Sequence, residues 1–220
     1  MTIIQLPQHL QRSWDAVGGL SQPSKMPCYS WGLPAAACNI GSKLAKQEGT
    51  VCSTCYALKG RYKFRNVQTA LQRRLDCYRA LTPNQWASHM IDLLDTLERE
   101  PFGSGFFRWF DSGDLQDVEM LRAIAEIARG TPDIQHWLPT RERYVVKQLT
   151  RRQEPANLVI RVSTNFIDHL PRQEAPRHPQ SAVVTDMTGV NCKAYNHDNQ
   201  CGTCRDCWDP FIPLITYKLH

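Results

Sequence analysis

The sequence predicts a single α/β domain over residues 1–220, an incomplete (β/α) TIM-barrel-like parallel sheet with cysteine-rich loops near both termini. Three observations predict it. Short apolar runs alternate with amphipathic helical stretches across 64–189, a polar turn follows each run, and eight of nine cysteines crowd into the flanking segments 28–63 and 190–220. Strands alternating with helices pair in parallel through right-handed crossovers.

Taken in order, residues 1–27 carry Gly18, Gly19, Pro23 and Pro27 with little periodicity and read as an irregular lead-in. Residues 28–63 hold four cysteines among Gly, Pro, Ser and Lys, a loop organised by something other than apolar packing. Val67, Leu71, Leu75 and Tyr78 then recur at helical spacing. A second helix starts with Thr82 as N-cap and Pro83 at its first position, buries Trp86, Met90, Leu93, Leu94 and Leu97, and stops before Pro101.

The strand candidates are Phe106 to Phe110, Ile134 to Leu138, Leu158 to Val162 and Ala182 to Thr185. Helices through Val118, Leu121, Ile124, Ala125 and Ala128, and from about Arg141 to Arg152, fill the first two intervals. The third interval has a weaker pattern. Ligands in such sheets collect at the carboxyl ends of the strands, here Asp111-Ser112-Gly113-Asp114, Pro139-Thr140-Arg141, Ser163-Thr164 and Thr185-Asp186.

That mouth supplies the catalytic candidates. Asp111 and Asp114 can position a substrate or accept a proton, although Asp-Ser-Gly-Asp is also a good turn and cap. Arg141 can clamp a carboxylate or phosphate with two parallel hydrogen bonds, Arg143 following within a turn; a solvated first helical turn is the plainer reading. Tyr56, Trp109 and Ser163 stand at the same edge as candidate cofactor contacts.

Hydrophobic content of 42% and charged content of 21% describe an ordinary globular chain. The balance of 26 basic against 21 acidic residues permits contact with a polyanion without requiring it. The N-terminal stretch does not read as a leader and no window reaches a membrane span, so the chain is expected to stay in the cytoplasm with no membrane partner. A reducing compartment keeps thiols free, and clustered cysteines there are usually metal ligands or catalytic groups.

Cys192, Cys201, Cys204 and Cys207 form C-x8-C-x2-C-x2-C, a run that can wrap three thiolates around one [4Fe-4S] cubane with a more distant cysteine closing it. Zinc is the rival, with His197 as an alternative ligand, and inert buried thiols are the third reading. The N-terminal group is Cys38, Cys52 and Cys55, with Cys28 ten residues upstream. Three thiolates leave one iron of a cubane open to a small molecule, whereas recruiting Cys28 closes the site. One cluster pooled from both ends is a further arrangement, and the two cysteine loops are expected to meet at one end of the domain. Cys77, off the apolar stripe of its helix, reads as a spare thiol.

After Cys55, the positions Tyr56, Lys59, Arg61, Tyr62, Lys63 and Arg65 interleave rings with positive charge, a composition that stacks on bases while neutralising phosphates.

The stretches SKMPCYSWGLPAAACN, CSTCYALKGRY, FRWFDSGDL, WLPTRERY, NLVIRVST and CGTCRDCWD span residues 24–209 and, in this order, resemble a family of bacteriophage proteins called gene product 88-like. The CSTCYALKG element is also similar to the cysteine loop of distant relatives of radical S-adenosylmethionine enzymes. The resemblance implies a phage protein of the infected host cell with one or two iron–sulfur clusters, and S-adenosylmethionine as a further cofactor. Two departures stand against radical chemistry: Cys38 lies thirteen residues before Cys52 where those enzymes have C-x3-C-x2-C, and no Gly-Gly-Glu-type segment follows the next strand. The functional expectation is a redox or radical enzyme acting on a small-molecule ligand held by Asp111, Asp114 and Arg141. Its alternative is a non-catalytic, metal-stabilised module that binds nucleic acid or a host protein.

Overall fold

A computed structural model describes residues 8–99, 103–171 and 177–219. Six parallel strands form one sheet: β1 (Tyr29–Trp31), β2 (Phe106–Trp109), β3 (Gln135–Thr140), β4 (Leu158–Ser163), β5 (Gln180–Val184) and β6 (Leu214–Lys218). Their spatial order repeats their chain order, and among the described residues nothing pairs β1 with β6, so the sheet is open. Sequential order with right-handed crossovers sends the connecting helices to one face.

That face carries the core. Helices α1 (Gln8–Ala16), α2 (Asn39–Leu44), α3 (Arg65–Ala80), α4 (Pro83–Arg99), α5 (Val118–Gly130) and α6 (Arg143–Lys147) punctuate the strands. Trp86, Met90, Leu93 and Leu94 of α4 and Met120, Leu121, Ile124 and Ile127 of α5 bury against Trp31, Phe107, Trp109, Leu138 and Ile160. Thr82 caps α4 as expected: its Oγ1 accepts from Gln85 N (3.3 Å) while Gln85 Oε1 accepts from Thr82 N (3.1 Å), a reciprocal capping box. Among the described residues no helix is long and apolar enough to cross a membrane.

Four expectations need correction. The lead-in contains α1, whose Leu10 and Trp14, with Val17 just beyond its end, make too short an apolar pattern to stand out. The N-terminal cysteine segment opens with β1, a three-residue strand that is legible only through its neighbour β2. The stretch from Arg141 to Arg152 is not one helix; α6 stops at Lys147 and a separate turn covers Arg151–Gln153. The C-terminal cysteine segment ends in β6. In the weak third interval, 172–176 lie outside the described residues.

His136 sits on the helix face of β3, wholly buried. Trp109 Nε1 donates to its Nδ1 (3.3 Å), so the ring proton is on Nε2 and faces Thr131 Oγ1 (2.9 Å), which itself donates to Ile127 O (2.7 Å). Burial lowers this pKa from 6.5 to about 3. The folded protein therefore keeps a neutral imidazole while the unfolded chain takes up a proton below pH 6.5, so stability is full above that pH and lost as pH falls toward 3. Between pH 7 and 5 the loss is expected to be about 2 kcal/mol. Urea unfolding of wild type and His136→Gln at both pH values checks it; an equal pH response in both proteins would count against the assignment.

Candidate metal centres and the mouth of the sheet

The carboxyl edge collects the N-terminal trio. β1 runs into Gly32-Leu33-Pro34 and a tight turn, Ala35–Ala37, that delivers Cys38 as the residue capping α2. Gln116 Nε2 donates to Ala37 O (3.1 Å) and Ile40 N donates to Glu142 Oε1 (2.8 Å), fixing Cys38 against the loops after β2 and β3. A second turn, Val51–Thr54, holds Cys52 and is capped by Thr50, whose Oγ1 accepts from Ser53 N (3.2 Å). Residues 49–51 pair with 165–167 after β4, which ties this loop to the far side of the mouth.

The spacing within the trio has a steric signature. A methyl group added to Gly41 would lie 3.5 Å from Cys38 Sγ and 3.6 Å from Cys52 Sγ, so both sulfurs face one small space that a side chain would fill. Burial raises the Cys38 thiol pKa, and Asp114, Cys52 and Cys55 add to it. Burial likewise raises Cys52, with Arg141 opposing. Unaided, these are neutral thiols rather than nucleophilic thiolates, and a bound metal is what holds buried cysteine in its anionic form.

Around the trio, the predicted carboxylates have different duties. Asp114 Oδ1 accepts from Thr140 Oγ1 (2.6 Å) and Leu115 N (2.8 Å), and its Oδ2 accepts from Arg141 N (2.9 Å), so it is a strut between the loops after β2 and β3. Burial still raises its pKa against those hydrogen bonds. Asp111 accepts from Tyr62 Oη at Oδ2 (3.0 Å), while Oδ1 is buried with no partner. Phe110 adopts φ +51°, an uncommon conformation for a bulky residue, and turns the chain so that this carboxylate tucks against Gly32, where a Cβ would stand 2.4 Å from Oδ1. Arg141 Nε donates to Thr164 O (3.2 Å), Ser163 Oγ pairs with Ser181 Oγ (2.9 Å), and Tyr56 Oη donates to Asp111 O (2.6 Å).

Trp109 does not reach the mouth. Its ring is fully buried on the helix face, 4.9 Å from Phe107 and 5.8 Å from Trp86, because alternate residues of β2 point to opposite faces. The residue that does turn inward from that strand is Arg108, which the sequence reading passed over.

The C-terminal cysteines gather on the inner face of the sheet. Cys192 N donates to Thr216 O of β6 (3.2 Å), Cys201 N to Lys25 O ahead of β1 (3.0 Å), and Trp208 Nε1 to Phe107 O of β2 (2.9 Å). The segment 192–208 thus crosses from the last strand to the first. It takes Cys28 with it: Cys28 packs with Trp137 and Trp208, against which Met26, Phe106 and Cys207 also lie, and Cys201 stands nearby. Cys28 therefore belongs with Cys192, Cys201, Cys204 and Cys207, and the expectation that it might complete the N-terminal trio is corrected. The cysteines form two groups, one at the carboxyl edge and one across the inner face, instead of meeting at one end.

Three arginines, Arg108, Arg161 and Arg205, stand near Cys28, Cys201 and Cys207. Burial pushes Cys28 and Cys207 up to about 12, opposed by Arg108 and Arg205 at the first and by Arg161 and Arg108 at the second. Arg108 stands 4.5 Å over Trp137 and Arg205 stands 5.0 Å over Phe106. Arg161, wholly buried, donates to the carbonyls of Gln180, Asp206, Asp209 and Ile212. Among the described residues neither Arg108 nor Arg161 has a carboxylate in ion-pair reach, and Arg108 Nε, Arg161 Nε, Arg205 Nε and Trp137 Nε1 are buried without acceptors. Each such donor costs about 1–3 kcal/mol unless something accepts from it. A charged residue inside the apolar runs FFRWF and LVIRVS was the available signal for the first two.

Among the described residues no three His, Cys, Asp or Glu side chains stand close enough to share a single ion. His197 is exposed, and Cys77 donates to Asp15 O (3.5 Å) on the outer surface. No solved structure and no curated protein matches this chain. The sequence model of the bacteriophage family Gene product 88 matches residues 9–218, which take in both cysteine groups and all six strands, and the chain belongs to that family.

Proposed function

We propose that this protein is an iron–sulfur protein built on an incomplete β/α barrel, with one cubane on the inner face held by four of Cys28, Cys192, Cys201, Cys204 and Cys207, and a second at Cys38, Cys52 and Cys55. One observation carries the reading: the Nε–H groups of Arg108, Arg161 and Arg205 and the Nε1–H of Trp137 are buried without an acceptor, and these arginines stand near Cys28, Cys201 and Cys207 with, among the described residues, no carboxylate in ion-pair reach. An anionic group rich in sulfur acceptors satisfies both demands at once, and hydrogen bonds to cluster sulfur are a standard means of setting its potential. Zinc suits the site less well. Its four ligands crowd one ion, whereas each thiolate of a cubane binds a different iron and stands farther from its neighbours.

The trio supplies one ligand fewer than a cubane has irons. When bound there, a cluster with an open iron and S-adenosylmethionine would supply redox or radical chemistry. The chain's own residues do the remaining work: Asp111 offers a buried acceptor for an N–H or O–H of a ligand, Asp114 and Glu142 lock the surrounding loops, and Arg141 adds positive charge beside Cys52.

Anaerobic purification with iron and acid-labile sulfide analysis tests the reading; brown protein bleached by dithionite is expected, and colourless, folded protein carrying stoichiometric zinc would overturn it. Arg108→Gln is expected to shift the inner cluster's reduction potential downward, because removing a nearby cation disfavours the added electron. Spectroelectrochemistry of the variant measures it.

A further inference from the structure

Between Gly49 and Leu75 the chain carries six basic residues and no acidic one. Five of the six, Lys59, Arg61, Lys63, Arg65 and Arg73, are exposed, and among the described residues none pairs with a carboxylate. Among the described residues only Arg73 of the five is tied into the fold by a side-chain hydrogen bond, its Nε donating to Gly18 O (3.1 Å), and the rest of the chain, with 20 basic against 21 acidic residues, is balanced. Rings and apolar groups share this surface: Phe64 is 58% exposed, Tyr56 and Leu58 each 42%.

The backbone beneath the patch is also tied down by hydrogen bonds. Two successive tight turns, Tyr56–Leu58 and Gly60–Lys63, lead into α3, and the segment is fastened by Tyr56 Oη and Tyr62 Oη to Asp111 and by Gln68 Nε2 to Tyr62 O (2.5 Å). A pinned backbone presents exposed rings and cations in fixed positions, so little ordering entropy is lost when a partner binds.

From this arrangement we infer that residues 56–65 with Arg73 form a docking surface for single-stranded nucleic acid. Cations spaced along the turns meet successive phosphates, and Phe64 offers a face on which an unpaired base stacks. An acidic protein would use the charge but has no need of the exposed ring, and a duplex hides its base faces. The inference does not depend on iron: metal analysis and binding are separate measurements, and either can fail alone.

The test is fluorescence anisotropy of a labelled oligothymidylate with the full chain across a salt series. Binding to the single strand in preference to duplex is expected. Arg61→Glu/Lys63→Glu should weaken it more than tenfold at low salt and flatten the log–log salt slope by about 1.4, while Phe64→Ala should cost about tenfold with the slope unchanged. Arg79→Glu, at the far end of α3, should do neither, and circular dichroism shows whether each variant is folded. No anisotropy change for wild type, equal loss in the Arg79 control, or binding indifferent to Phe64 and shared with duplex or heparin would each overturn the inference.

Discussion

Cys201→Ala/Cys204→Ala is expected to lose the whole inner cluster, roughly half of the iron and sulfide of a two-cluster protein, because it removes two of the three closely spaced thiols of the C-x2-C-x2-C run and leaves Cys28, Cys192 and Cys207 with no such run to wrap the cubane. Single substitutions in this group are milder tests, since five cysteines face four positions. Cys38→Ala should remove the other half, as the trio has no reserve. The two losses should be independent, for the groups occupy different sides of the sheet. Iron and sulfide analysis of both variants beside wild type decides the matter: full parental content in either would show that its cysteines are not ligands. The inner-site variant should also unfold at lower denaturant concentration, because the Nε–H groups of Arg108 and Arg161 and the Nε1–H of Trp137 would be left without an acceptor.

Trp109→Ala should be the most damaging substitution for the fold. Deleting a fully buried indole from a cluster in which Trp31 and Trp86 lie 5.1 Å apart costs about 3–5 kcal/mol through lost transfer energy and the cavity left behind. Losing its hydrogen bond strands His136 Nδ1, adding on the order of 1 kcal/mol. Against a typical total of about 5–15 kcal/mol this is a large fraction. Urea denaturation measures it. A loss below about 1 kcal/mol, accompanied by loss of cofactor, would restore Trp109 to the mouth where sequence pattern alone had put it.

The misplacement of Trp109 shows where sequence legibility stopped. The run FFRWF announces a strand, and the period of two means its residues divide between faces, but only the neighbours reveal which face looks at the helices. Longer elements were legible because their pattern repeats: α4 and α5 show five or more apolar positions at helical spacing. β1 and β6 were not, since three to five residues carry too few alternations and their pairing partners lie far along the chain. The turns at Asp111 to Asp114 and Arg141 could be assigned to the carboxyl edge from chain order alone. The company kept by Cys28 could not, because spacing in sequence says nothing about a neighbour more than 160 positions away. Arg108 and Arg161 were visible as charges in apolar strands, yet their meaning depends on what the opposite loop brings to them.

The strap that carries Cys192 through Cys207 from β6 back to the residue before Met26 has a bearing on how the protein is made. An emerging polypeptide exposes Cys28 early and must synthesise well over a hundred further residues before its sulfur companions leave the ribosome. The approach of the C-terminal cysteines to Cys28 therefore waits until residues 192–207 have been made. Closing a loop of that length is also slow in conformational search, so a cluster bound as proposed would enter late, as a sealing event in maturation rather than a template for folding.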